Sequence, residues 1–344
     1  MAKVNTIKEF AKNILTGKGI EIGKSIILNE VTFIPIIKQE VPREDREYLT
    51  LLEALEEDKC KIIEKGTEIA HIIFENLGEI PILIEEGEIF QGKGTQDRIC
   101  VSTMMVEPQS QVEIGVKCVH APHHLSSGAH FSYGGKASRA MLNEIRSMKY
   151  KNAQTSIPAS NINQRKVWEK VSEENATEGS VGETKYLKSV NLRRKRAENR
   201  SKKIKFPENT IGFVVINAKG EIKGLEVHRS PHNFKIRKDG IFESLEANIS
   251  WKVEGQGAFP KAREKANKLF KKISELREGE SALNQLEVDG VAINMGGRFG
   301  EAFTTTFYSN ICPYCSKSKP RKKECPHCGN MEEESEEMAY MSLF

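Results

Sequence analysis

No apolar run in this 344-residue chain reaches the roughly 18 residues that a membrane span needs, so none is expected. Residues 1–16 are charged and amphipathic and lack the apolar core of a secretory signal. A cytoplasmic location, where thiols stay reduced, is therefore the expectation. There is no phosphate-binding loop of the Walker type and no His-Glu-x-x-His pair, so two common routes to nucleotide hydrolysis and metalloproteolysis are absent. Aromatic residues make up 7% of the chain and tryptophan occurs twice, too little for base reading by stacking. Neither sign of charge dominates. The 52 Lys and Arg stand against 48 Asp and Glu, and a net charge of +4 does not by itself imply a nucleic-acid partner.

Cysteine is also scarce, with seven in all, but four of them fall in one short segment. They read Cys312-Pro313-Tyr314-Cys315 and Cys325-Pro326-His327-Cys328. Two Cys-x-x-Cys turns can each aim two thiolates to one side and together complete a tetrahedron. Two disulfides are the alternative, and a reducing compartment disfavours them. A closed four-sulfur site leaves no open coordination position, so a structural zinc is expected. Its binding, roughly 10–16 kcal/mol in small zinc peptides, would fold a segment with almost no core of its own. His327 reads as a loop residue. Cys60, Cys100 and Cys118 lie in strand-like segments and read as small buried hydrophobes. Cys118 has a sharper alternative as a catalytic thiol, because His120 follows at the same-face spacing of a strand.

Hydrophobic periodicity predicts an α+β protein. An N-terminal helix (1–18) leads into a largely antiparallel β lobe (19–136). A mixed α/β lobe (137–310), a small zinc ribbon (311–330) and a solvated acidic tail (331–344) follow. Strands are expected at 60–64, 68–76, 80–85, 98–106 and 111–119, with glycines and Pro108 marking turns. Helices are expected at 137–149, 161–174, 185–205, 239–253 and 260–275, and hairpins around 218–220 and 296–297.

Residues 83–98 read LIEEGEIFQGKGTQDR, and a later strand ends Val116-Lys117-Cys118-Val119-His120. This resembles a prokaryotic domain family named for its association with ADP-ribosylglycohydrolases and rhodanese-phosphatases. The family shows an acidic-Gly strand end, a Gly-Gly-x-Gln-Asn-Arg-like turn and a Val-x-Cys-Val-Glu-like strand end. Gln164-Arg165-Lys166-Val167-Trp168 is similar to its Gln-x-x-Val-Trp helix, and residues 212–226 to its strand-turn-strand segment ending in a glutamate. The likeness spans roughly residues 20–310 and leaves the ribbon outside. Asp97 stands where the family usually has Asn, and His120 where it often has Glu. The family name implies a link to ADP-ribose or nucleotide metabolism by analogy, without a reaction.

Three constellations are candidates for chemistry. Glu86, Gln91, Gln96, Asp97 and Arg98 surround a Gly-rich turn, where Arg98 suits a phosphate or carboxylate and Asp97 or Glu86 a proton or metal. The other reading is a tight strand connection with Arg98 neutralised internally. His120, His123, His124 and His130 crowd one loop, as a metal site or as the polar lining of a pocket. The third is basic: Arg193, Arg194, Lys195, Arg196, Arg200, Lys202 and Lys203 on one helix, with Arg321, Lys322 and Lys323 in the ribbon. Such density would hold RNA, DNA or a nucleoprotein in a salt-dependent way. Its alternative is a solvated face paired with glutamates. Two functions follow. One is a zinc-ribbon binding or adaptor protein docking on nucleic acid. The other is an enzyme or ligand sensor for ADP-ribose-like or other phosphorylated nucleotide metabolites, its pocket between residues 86–98 and 120–130. Whether a bond is made or broken is left open.

Overall fold

A computed structural model describes the chain apart from residues 1, 41–45, 67–68, 121–124, 156, 159–160, 250, 252–257, 278–280, 284–289, 297, 309–311, 320–321, 335 and 344. The fold is α+β with largely antiparallel sheets. The helices are α1 (Ala2–Thr16), α2 (Leu51–Glu56), α3 (Arg139–Ala153), α4 (Gln164–Thr177), α5 (Tyr186–Ser201), α6 (Pro231–Glu246) and α7 (Ala262–Ser274). None is long and apolar enough to cross a membrane.

The largest sheet has nine strands. Its central order runs Val31–Lys38, Thr210–Ile216, Ile222–His228, Glu336–Leu343, Phe299–Thr306. Helices α1 and α7 cover one face, packing Ile7, Ala11, Ile14, Leu269 and Phe270 on Ile34, Val214 and Val227. Phe33, Phe213, Phe234 and Phe242 fill the other face beneath α6. Alternation along Ile222–His228 decides which residues face where. Leu225 and Val227 face α1 and α7. Glu226 and His228 must therefore point into the opposite interior. A six-stranded sheet runs from Phe131–Lys136 through Glu88–Gly92 and Arg98–Cys100 to Cys60–Glu64. A three-stranded sheet packs with it around Leu49, Ile82, Phe90 and Val106.

Three expectations are corrected. First, the divide expected at residue 136 does not separate the sheets, because strands within 20–38 join the large sheet formed by later residues. Second, the tail is not solvated. Glu336–Leu343 lies between Ile222–His228 and Phe299–Thr306, and Met338 to Leu343 are buried. The acidic run occupies only the strand's entry. The cysteine segment is thus the long tip of the hairpin made by Phe299–Thr306 and Glu336–Leu343. Third, the helix expected at 239–253 begins earlier, at Pro231, where the Ser230 hydroxyl accepts from Asn233 N at 3.2 Å and Pro occupies the first turn.

Candidate functional site

Between the large sheet, α3, α6 and the end of the six-stranded sheet lies an interior made of charge. Its base is the turn Glu85-Glu86-Gly87-Glu88. Glu88 N donates to Glu85 O at 3.2 Å, and Gly87 at the third position has φ 81°. That is a type II arrangement, which favours glycine there. A Cβ on Gly87 would also lie 2.4 Å from Leu142 Cδ2. The turn therefore presses against α3, and all three of its carboxylates are buried.

Cations from two helices and a strand meet them. Glu86 accepts from Arg146 Nε at 2.6 Å and Lys149 Nζ at 2.9 Å, and Lys149 also reaches Glu301 at 3.1 Å. Glu85 accepts from Lys136 Nζ at 2.7 Å and Arg237 Nη2 at 3.0 Å, while Arg237 Nη1 lies 2.7 Å from Glu88. Arg139 pairs with Glu226. Arg139 and Arg146 both donate to the Ser342 hydroxyl, at 2.5 and 2.9 Å. Taking so many charges from water is costly unless each is matched. Burial pushes the Glu85 and Glu86 carboxyls up, but Arg237 and Lys136, and Lys149 and Arg146, outweigh it and hold both well below the usual range. Burial and the neighbouring Glu86 raise Glu301 to about 7. Glu86 takes the larger share of the two cations and leaves Glu301 the less favoured charge.

The matching is incomplete at several places, Glu88 Oε1, Arg139 Nε and Arg237 Nε among them, and around Tyr340 such atoms are grouped. Tyr340 stands with its ring 5.4 Å from that of His228 and with Lys136 Nζ 5.7 Å above it. His228 Nδ1 lies 3.7 Å from Glu85 Oε1, outside hydrogen-bond reach. The Tyr340 hydroxyl, both His228 nitrogens, Glu85 Oε1 and Arg146 Nη1 are buried without a hydrogen-bond partner among the described residues. Buried polar atoms rarely go unsatisfied, and a group of them close together calls for an explanation. Burial keeps His228 neutral by lowering its pKa, and keeps the Tyr340 phenol protonated. An uncharged imidazole, a phenol, a carboxylate and a guanidinium face one another, which is a set able to hold an anionic group and move a proton.

The residues proposed from sequence fall elsewhere, Glu86 excepted. Arg98 is fully buried, donating to Glu64 at 2.9 Å and Gln96 Oε1 at 3.0 Å. Thr95 donates to the same Glu64 oxygen at 2.9 Å, and the other oxygen has no hydrogen-bond partner among the described residues. The Gly-rich turn closes on itself. Gly92 N donates to Asp97 Oδ1 at 3.0 Å, and a Cβ on Gly92 would sit 2.3 Å from Thr95 O. This is a tight strand connection. Asp97 Oδ2 lies 3.6 Å from His120 Nδ1 and 3.7 Å from Lys185 Nζ. Gln91 is exposed on its strand. Among the described residues Glu86 and Arg98 belong to separate clusters. His123 and His124 lie outside the described residues. The Cys118 thiol meets the His120 carbonyl at 3.3 Å, and burial raises its pKa. Gln164 pairs with both the N–H and the C=O of Cys118, at 3.0 and 2.8 Å. These are the surroundings of an inert structural thiol, not of a nucleophile.

The basic helix α5 spends its arginines inward. Arg193 is fully buried against Glu174 (3.1 Å) and the Tyr186 hydroxyl (3.1 Å). Arg194 pairs with Glu243, and Arg196 with Glu178 and Glu246. Arg200 pairs with Glu246 and lies 4.6 Å over the Trp251 ring. Lys195, Lys202 and Lys203 remain exposed, with no ion pair among the described residues. In the hairpin tip Lys322 is exposed, Lys323 pairs with Glu334 at 2.6 Å, and Arg321 lies outside the described residues.

The cysteines converge as expected. Their four sulfurs lie within 4.8 Å of one another, with 3.6 Å between Cys312 and Cys328 and 3.8 Å between Cys315 and Cys325. A disulfide would need about 2.05 Å. A tetrahedron with metal–sulfur bonds of about 2.3 Å has edges near these distances. The two turns match. Ser316 N donates to Cys312 O (2.9 Å) and Gly329 N to Cys325 O (2.8 Å), with positive φ at both Ser316 and Gly329. The four thiols are thus compatible with a metal site.

The chain belongs to the ARG and Rhodanese-Phosphatase-superfamily-associated Protein domain family, whose model matches residues 19–293. The cysteine segment and the strand Glu336–Leu343 lie outside that match. No curated protein matches the chain significantly, and no solved structure does.

Proposed function

We propose that the chain is an enzyme or ligand sensor for a small polar metabolite of the phosphorylated nucleotide or ADP-ribose-like class, with its working centre at the interior around Tyr340. The observation that carries this is the convergence of unpartnered buried atoms from Tyr340, His228, Glu85 and Arg146. Arg146 and Arg139 would hold the anionic part of the ligand, and His228 and Tyr340 would exchange a proton with it. The ion at Cys312, Cys315, Cys325 and Cys328 is proposed to be a structural zinc in a cytoplasmic, reducing setting. Four thiolates suit zinc and leave no open coordination position for chemistry.

The test is to titrate ADP-ribose and related nucleotides against the wild type, Tyr340→Phe and His228→Gln, reading thermal midpoints. A shift in the wild type that both variants lose supports the proposal. If no ligand moves the wild type at millimolar concentration, while both variants are more stable than it, the cluster is architecture alone. A second reading, contact with RNA, DNA or a nucleoprotein, is favoured by the unpaired Lys195, Lys202 and Lys203. Retention on RNA that falls steeply with salt, and falls further when the three become glutamate, is the outcome it requires.

A further inference from the structure

The segment that follows α5, from its C-cap Lys202, and the first turns of α6 border a cleft of about 630 Å³ that plays no part in the interior cluster. Its size lies within the roughly 300–1,000 Å³ usual for small-molecule sites. Four lysines line it, Lys202, Lys205, Lys235 and Lys238, against a single carboxylate, Glu208. None of the four forms an ion pair among the described residues, although Lys238 donates to the Ser201 carbonyl at 3.4 Å. This contrasts with α5, whose arginines are nearly all matched. Unmatched like charges around one concavity repel one another, and an anion relieves that repulsion. The cleft also faces the first turn of the 16-residue helix α6, so the helix dipole adds positive potential.

Part of the wall is aromatic. Phe206 lies parallel to Phe213, with ring centroids 5.3 Å apart, and edge-on to Phe234 at 5.3 Å. Phe206 and Phe234 both line the cleft. A separate observation points to an occupant. Thr210 lines the same cleft, is 1% exposed, and its hydroxyl has no hydrogen-bond partner among the described residues. A buried hydroxyl beside an open cavity is a group waiting for a polar partner.

We infer that this cleft binds a phosphorylated small molecule carrying a flat ring, the nucleotide class. The lysines take the phosphates, the phenylalanine walls take the ring, and Thr210 bonds a polar edge. Lysines without aromatic walls would suit any polyanion. The concave, partly apolar surface favours a compact ligand with a ring over a long nucleic-acid strand. The site stands apart from the interior around Tyr340 and does not depend on that reading, although Phe234 forms part of the wall between them, its ring 6.4 Å from that of His228.

The experiment is isothermal titration calorimetry of the full chain with ADP, AMP, inorganic phosphate and a short single-stranded RNA. It is run on the wild type, on Lys205→Glu/Lys235→Glu and on Thr210→Val. Lys205 and Lys235 are exposed, so the double variant should fold, and circular dichroism checks that it does. ADP is expected to bind more tightly than phosphate. The double variant should weaken ADP by about tenfold or more. Thr210→Val should bind ADP more weakly without losing stability. A part of ADP binding that Tyr340→Phe removes and the lysine variant keeps belongs to the interior site, and a part that the lysine variant alone removes belongs to the cleft. The inference is overturned if ADP does not bind, if ADP binds no better than phosphate, if the lysine variant binds as the wild type does, or if RNA displaces ADP at lower concentration than AMP does.

Discussion

Glu86 and Glu301 share Lys149, yet the structure gives them opposite roles, and a pair of isosteric substitutions separates them. Glu86 is held by two buried cations, Arg146 and Lys149. Glu86→Gln would strand both, and breaking a buried pair from one side costs about 3–5 kcal/mol. Glu301 is raised to about 7 by burial and by Glu86. Its carboxyl should therefore carry a proton over much of the range below neutrality. Its folded pKa lies above the unfolded value of 4.5, so its stabilising contribution is complete below about pH 4.5 and is lost as pH rises through about 7. A difference of roughly 2.5 pKa units at 1.36 kcal/mol each is about 3 kcal/mol. Glu301→Gln keeps the shape, keeps one acceptor oxygen for either Lys149 or Thr103 N, and cannot ionise. Relative to this variant, the wild type should lose up to about 3 kcal/mol between pH 5 and pH 8. Urea unfolding of the wild type and both variants at pH 5, 6.5 and 8 measures this. If Glu301→Gln is as damaging as Glu86→Gln at pH 7, or if its difference from the wild type does not move with pH, the charge assignment is wrong.

Arg98→Met should cost about 3–5 kcal/mol, because Glu64 stays buried beside it, and adding Glu64→Leu should recover part of that loss. Cooperative unfolding at the wild-type midpoint by Arg98→Met would instead mark Arg98 as a ligand residue. Gly87→Ala should destabilise through both its positive φ and the Leu142 contact, read as a lower thermal midpoint, while Gly94→Ala, with nothing within 4 Å, should suffer only the backbone strain. Chelating the ion at the cysteines should raise hydrogen exchange along Phe299–Thr306 and Glu336–Leu343 as well as in the tip. Exchange confined to 312–331 would show that the tip folds independently.

The local grammar was readable from the residues. Alternation placed most strands of the six-stranded sheet, the two Cys-x-x-Cys turns announced their own convergence, and the helix expected from 161 begins three residues later, at Gln164, with Asn163 as its cap. The interior cluster was hidden because its members look like ordinary exposed charges when each is read in its own segment. Glu226 and Glu301 sit on strands whose outward and inward faces are decided by partners far along the chain. Arg139, Arg146 and Lys149 fall on a helix face that reads as solvated until a sheet covers it. One local signal was available: three glutamates around Gly87, flanked by apolar strands, is an unusual place to put charge. Ser230-Pro231 likewise marked the start of α6. The acidic run before residue 338 concealed the strand behind it, although MAYMSL alternates too little polarity for a solvated tail. Arginine density on α5 misled for a related reason, since guanidinium groups that serve buried glutamates and those that serve phosphate look the same in a sequence.

The central claim is that the unpartnered atoms of Glu85, His228, Tyr340 and Arg146 form a site. A crystal structure of protein purified without added ligand, at a resolution that orders water, decides it. The account predicts density there for a small polar molecule or for ordered solvent that a soaked nucleotide displaces, bonded to the Tyr340 hydroxyl and a His228 nitrogen. A closed space in which His228 bonds Glu85 directly and Tyr340 bonds a neighbouring side chain would contradict it.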